Sequence, residues 1–343
     1  MDLNLTFEGD GLSGEAQHEF TLVAEAVFRI YRRLIEPLGV DHLEVECVLA
    51  EDFVAAVNAR AHGFGDADHP GFTADRVGGM VVAKNLAQEA DESRVAIVFS
   101  ADIWVRQYAD RPMEKWALMA HEIAHPVMSR VRWLSGSLHG VPFPSHTPTE
   151  VMRTGARIDW DEFRAEALAD VILQESVAMT HPNLDPQDVS LAKIAVPATL
   201  AQVRIELTAV YPRWADRVQT YREGRLALTD LWIQTARELA QLRTLIARMT
   251  GGMGIDSDEL LPAAVTELPA YRLYFSHPWE EFIKTLRESP LLTRVDEHRD
   301  VEERILAIAE QSFRAALAKL GLEAHDHPDR SFEINVNGPQ RLD

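Results

Sequence analysis

The chain has 343 residues, with 34 Lys and Arg against 54 Asp and Glu, a net charge of −20. That length allows one large domain or two, and a surface so acidic repels phosphate, which argues against nucleic acid as a partner. The single cysteine, Cys47, excludes an internal disulfide framework and any zinc site built on several thiolates.

Residues 2 to 8 alternate Leu3, Leu5 and Phe7 with polar neighbours, which predicts a short strand. The first thirty residues hold no apolar run of signal-peptide type, and no later stretch is apolar for long enough to span a bilayer. A cytoplasmic protein with no membrane partner is expected. Residues 15 to 36 carry apolar side chains at helical spacing. Strand-like segments follow at His42 to Leu49, Gly79 to Ala83 and Arg94 to Phe99, with a helix from Asp52 to Arg60 and a Gly- and Asp-rich loop from Gly63 to Val77. Cys47 sits in an apolar segment and reads as a core thiol. From Arg111 onward the pattern is helical, over 112–135, 159–180, 186–210, 213–249, 278–289 and 299–320. Pro112 suits a first turn capped by Asp110, and Asp159 with Glu162 reads as a capping box for the second helix. Between these two helices, Ser135 to Arg157 reads as a long loop, of the kind that often carries function. The expected fold is α+β: a catalytic half over 1–183, with a small mixed sheet and a metal-site helix, then a mostly helical half over 184–343.

The sharpest motif is His121-Glu122-Ile123-Ala124-His125, inside the predicted helix 112–135. Residues four apart stack one turn apart, so His121 and His125 can both reach a single ion. Zinc accepts such imidazole nitrogens, and Glu122 is near enough to take a proton from activated water. Pro126 follows directly and predicts a local bend in this helix. Two histidines leave zinc short of protein ligands. Downstream, Glu166 and Asp170 share one face of a helix that is apolar nearly all round, where unpaired carboxylates are costly. A zinc ion would account for them, with Glu166 as ligand and Asp170 accepting the N–H of a ligating histidine. The alternative is an ordinary solvated acid pair. Other third-ligand candidates are Glu162, one turn before Glu166, and the loop residues His139 and His146. His325 and His327 form a separate His-x-His pair near the C-terminus.

His-Glu-x-x-His followed by Glu-x-x-x-Asp resembles the gluzincin signature, the thermolysin-like zinc metallopeptidases, over roughly Arg94 to Met179. The cytoplasmic ImmA/IrrE-like metallopeptidases are similar in their small size and acid- and alanine-rich second helix. The resemblance implies a zincin-like fold, Zn2+ held by His121, His125 and Glu166, Glu122 as general base and Asp170 as the residue orienting a ligand. It also implies an oxyanion donor from the helical half, for which Tyr271, Tyr274 and His277 are candidates; aromatic packing in a core is the competing reading. An extended peptide would pair with an edge strand, at Gly78 to Val82 or Val95 to Phe99. The expected function is therefore zinc-dependent hydrolysis of a peptide or protein substrate. Two rivals stay open: a metallohydrolase of non-peptide amides or esters, and an acidic helical binding or regulatory protein with a structural or degenerate zinc site. No Walker-type phosphate loop, Gly-x-Ser-x-Gly elbow or dinucleotide fingerprint is present in the sequence.

Overall fold

The computed structural model describes residues 1–61, 75–76, 79–80, 82–137, 147–180, 185–329 and 331–339. The fold is α+β, as the sequence predicts. Over the described residues the chain divides into two compact units. Unit 1 draws on 1–137, 168–194 and 292–299, and unit 2 on 138–167, 195–291 and 300–343. The sequence suggests one cut near residue 183. The observed division is interleaved because one helix, 148–180, gives its first part to unit 2 and its second to unit 1.

Unit 1 begins with β1 (Asp2–Glu8), α1 (Gly14–Ile35), β2 (Glu44–Ala50) and α2 (Phe53–Arg60). Two short strands, β3 (Asp75–Arg76) and β4 (Gly79–Met80), pair with each other, and β5 (Ala83–Ala87) and β6 (Arg94–Ser100) follow. The four-stranded sheet has the order β1-β2-β6-β5. β1, β2 and β6 run parallel, and β5 closes one edge antiparallel to β6. The register sets Val45, Cys47 and Leu49 beside Val95, Ile97 and Phe99 on one face, all buried. Phe20 of α1 covers that face, edge-on to Phe7, Phe99 and Trp104 at 6.0, 5.5 and 4.9 Å between centroids. On the opposite face Phe53 and Val57 of α2 pack with Val48 and Val98. Cover on both faces explains why β2 and β6 read as nearly continuous apolar runs. Cys47 is a core thiol, and burial pushes its pKa up.

The expected strand over Gly79 to Ala83 is corrected: β4 stops at Met80 and the sheet strand runs Ala83–Ala87. Val95 to Phe99 is also no edge, since β6 is flanked by β2 and β5. Helix caps follow the usual chemistry at Ser13 and Asp52, whose side chains accept from the amides of Ala16 and Ala55. Asp110 does not cap the next helix. That helix, α3 (Pro112–Leu134), has Arg111 at its cap position, without a side-chain bond.

α4 runs Pro148–Thr180, eleven residues longer at its start than the sequence suggests (159 − 148 = 11). Its capping box is Thr147 and Glu150. The Thr147 hydroxyl accepts from the Glu150 amide at 3.4 Å, and Glu150 accepts from the Thr147 amide at 2.8 Å. Asp159 and Glu162 are thus mid-helix, and the loop expected over 135–157 shrinks to its first part, of which 138–146, with His139 and His146, lie outside the described residues. Replacing Thr147 with Ala should cost about 1 kcal/mol. In a thermal unfolding scan that is a fall of about 2–4 °C.

α5 (Leu191–Ile194) also belongs to unit 1. Unit 2 adds α6 (Val196–Arg222), α7 (Leu228–Gly252), α8 (Ala263–Thr266), α9 (Ser276–Glu288) and most of α10 (Val295–Lys319), then a hairpin of β7 (Leu322–Asp326) and β8 (Phe332–Val336). The helices expected over 186–210 and 213–249 are redrawn. α6 passes through Pro212 and stops before Gly224, whose φ of 72° ends the helical path. Trp214, Trp232, Tyr271, Tyr274, Phe275 and Trp279 fill the main core of this unit. Trp160, Phe163 and Phe282 form a second cluster. Among the described residues no helix is long and apolar enough to cross a membrane.

Candidate metal centre

α3 carries the His-Glu-x-x-His motif because its sequence alternates apolar and polar residues at helical spacing. Met119, Ala120, Ile123, Ala124 and Val127 are fully buried on one stripe. The helix is pinned along its length within unit 1. Near its start Lys115 Nζ pairs with Glu19 at 2.6 Å. In the middle, the Tyr31 hydroxyl donates to the Ala120 carbonyl, one residue before His121, at 2.7 Å. Burial pushes that hydroxyl well above its usual pKa, so it stays a neutral donor. Near the C-terminal end Arg130 donates to the carbonyls of His42 and Asp91 at 3.0 and 2.7 Å and pairs with Asp41 at 2.9 Å. This last pair holds the Asp41 carboxyl below its usual range. The helix runs unbroken through Pro126, which is buried.

The two histidines converge. Their Nε2 atoms are 3.2 Å apart and the rings meet edge-on, 4.9 Å between centroids at 74°. Two nitrogens each about 2.0–2.1 Å from one tetrahedral ion lie about 3.3–3.4 Å apart, so the pair has the separation that shared ligation of zinc demands. His121 is buried and His125 is half-buried. Two imidazoles so placed fit zinc, which completes its shell with carboxylate or water ligands. Among the described residues His325 and His327 belong to no such group.

The two acids of α4 are in different situations. Glu166 Oε1 accepts from both Nε and NH2 of Arg248 on α7, at 2.9 and 2.8 Å. Glu162 is farther from the same guanidinium, at 3.6 Å. The close passage of α7 over α4 depends on Gly251. A Cβ there would meet the Phe163 carbonyl oxygen at 2.3 Å and Glu166 Cβ at 3.1 Å. Asp170 accepts from the Leu191 amide at 2.6 Å and from Gln174 at 2.8 Å, which ties α4 to the start of α5. Burial is the larger influence on its carboxyl and raises its pKa.

Glu122 is half-buried on the turn of α3 between the two histidines. Asn85 Nδ2 donates to its Oε2 at 2.6 Å. Asn85 lies on β5, the sheet edge, and its register partner Ile97 faces the side that α1 covers. The sequence reading missed Asn85 because the segment 83–87 lacks the apolar alternation of a strand. Tyr271 and Tyr274 are core residues of unit 2, each 1% exposed, and burial raises both hydroxyl pKa values. His277 is exposed. The chain matches no family model, no curated protein and no solved structure in the comparisons made.

Proposed function

We propose that the protein is a zinc-dependent hydrolase, most naturally a peptidase of the cytoplasm acting on peptide or protein rather than nucleic acid. The observation that carries this reading is the convergence of His121 and His125, whose Nε2 atoms are 3.2 Å apart on the turn of α3 that also carries the acid Glu122. His121 and His125 would hold the ion through their ring nitrogens, and a carboxylate of α4, Glu162 or the Glu166 that the gluzincin resemblance implies, would supply the third ligand. When bound, zinc polarises a carbonyl and makes water acidic near neutral pH. Glu122 would accept a proton from water on a carboxylate oxygen and return it to the leaving amine. β5 offers an unpaired edge, among the described residues, on which an extended peptide can lie. The buried stripe of α3 and its three anchors hold the histidines rigid, which keeps the donor set preorganised.

Elemental mass spectrometry tests the reading first. The native protein is expected to carry about one zinc per chain, and His121→Ala and His125→Ala to carry none. Glu122→Gln is expected to keep zinc and to lose peptide hydrolysis by about 10³-fold or more. A native protein that stays metal-free after zinc is added back would end the hydrolase reading in favour of an acidic binding protein.

A further inference from the structure

We infer that Asn85, on the edge strand β5, is a positioning residue that fixes the carboxylate of Glu122 by its Oε2 atom and leaves Oε1 as the proton-accepting oxygen. The inference rests on the reading of Glu122 as the general base. Three observations support it. The Nδ2–Oε2 distance is 2.6 Å, short for an amide donor and in keeping with a charged acceptor. The donor comes from a strand hydrogen-bonded into the sheet, not from a loop, so it holds one direction. Third, the amide is kept at a cost. Its Oδ1 is buried and accepts no hydrogen bond from any of the described residues, although a buried acceptor without a partner is destabilising. Strand pairing at position 85 needs only the backbone, and an apolar side chain of the same size would avoid that cost. What an apolar side chain cannot do is donate to Glu122.

The arrangement assigns the two carboxylate oxygens different work. Oε2 receives the Asn85 hydrogen and is oriented by it. Oε1 receives the proton from water and passes the same proton to the leaving group, so the carboxylate ends the cycle ionised as it began. Rotation of the carboxylate would exchange these roles, and the Asn85 bond opposes that rotation.

The test uses Asn85→Leu, which removes the donor and the orphan acceptor together. Its melting temperature is expected to fall by only a few degrees: Glu122 Oε2 loses its donor but is half-buried and can turn to water, while the orphan acceptor is removed. Zinc content and KM are expected to be unchanged, while kcat falls about 10- to 100-fold. In a Glu122→Gln background the same substitution should cost nothing further. A second readout does not depend on activity. In 15N-labelled protein the Asn85 side-chain NH2 signal, identified by its loss in Asn85→Leu, should move upfield in Glu122→Gln. An unmoved signal, or an equal loss of kcat with and without the Glu122 carboxylate, would overturn the inference. A zinc-loaded native protein that hydrolyses no peptide, with the NH2 signal still responding to Glu122→Gln, would overturn the peptidase reading while leaving the Asn85–Glu122 bond established.

Discussion

Glu162→Ala should weaken zinc binding far more than Glu166→Ala. Replacing a residue that only supports a metal ligand costs about 10- to 100-fold in affinity, and losing a ligand costs more. Glu162 is therefore expected to cost over 100-fold and Glu166 at most about tenfold. The reason is electrostatic. Glu166 Oε1 already accepts two hydrogens from Arg248, and taking it to an ion would leave that guanidinium without its nearest carboxylate. Arg248 holds Glu162 less closely, at 3.6 Å. Competition titration with a zinc-responsive dye measures both affinities. The reverse order would return the third ligand to Glu166 and make Glu162 the supporting residue.

The largest effect on stability is expected at Asp159. Its side chain is fully buried, pairs with Arg243 of α7 and accepts from the Thr244 hydroxyl at 2.8 Å. Arg243 is itself 2% exposed and lies 5.0 Å from the ring centroids of both Phe282 and Phe313. Asp159→Ala strands this guanidinium in an apolar core. Breaking a buried pair from one side costs about 3–5 kcal/mol. That corresponds to a fall of about 10 °C in melting temperature. The double variant Asp159→Leu with Arg243→Met should recover most of the loss, because a well-packed apolar pair replaces the ions without leaving a charge behind. Equilibrium unfolding in urea distinguishes these outcomes. A double variant as unstable as the single one would mean that the ion pair itself, not the stranded charge, supports the fold.

What could be read in the sequence was what depends on neighbours close along the chain. The strands β1 and β6, the helix α3 and the convergence of His121 with His125 all follow from periodicities of two or about 3.6 residues. The start of α4 was also written locally, in Thr147 and Glu150, but Asp159 and Glu162 have the same spacing and sit before a stronger apolar run. Asp159 looks like a cap because short acids usually are. Its partner Arg243 belongs to another helix, and no local pattern announces that pairing. The choice between Glu162 and Glu166 is not local either: they differ by one turn of one helix, and Arg248, which pairs closely with Glu166, is remote in sequence. Asn85 was hidden because β5 is a short edge strand, half-buried and weakly apolar, whose direction is set by pairing with β6. The hairpin of β7 and β8 leaves little periodicity in the sequence, since each strand is only five residues long.

The glycine at 251 bears on which metal the chain would choose. By letting α7 lie against the Phe163–Glu166 turn, it keeps Arg248 on Glu166 and so would withhold one oxygen donor from a bound ion. Two imidazoles and one carboxylate suit a borderline cation of low coordination number, whereas a second carboxylate would favour harder, six-coordinate ions such as manganese. A larger residue at 251 would push α7 outward, free Glu166 and move the donor set in that direction. Selectivity at this centre would then be set by the absence of a side chain on a helix that supplies no ligand.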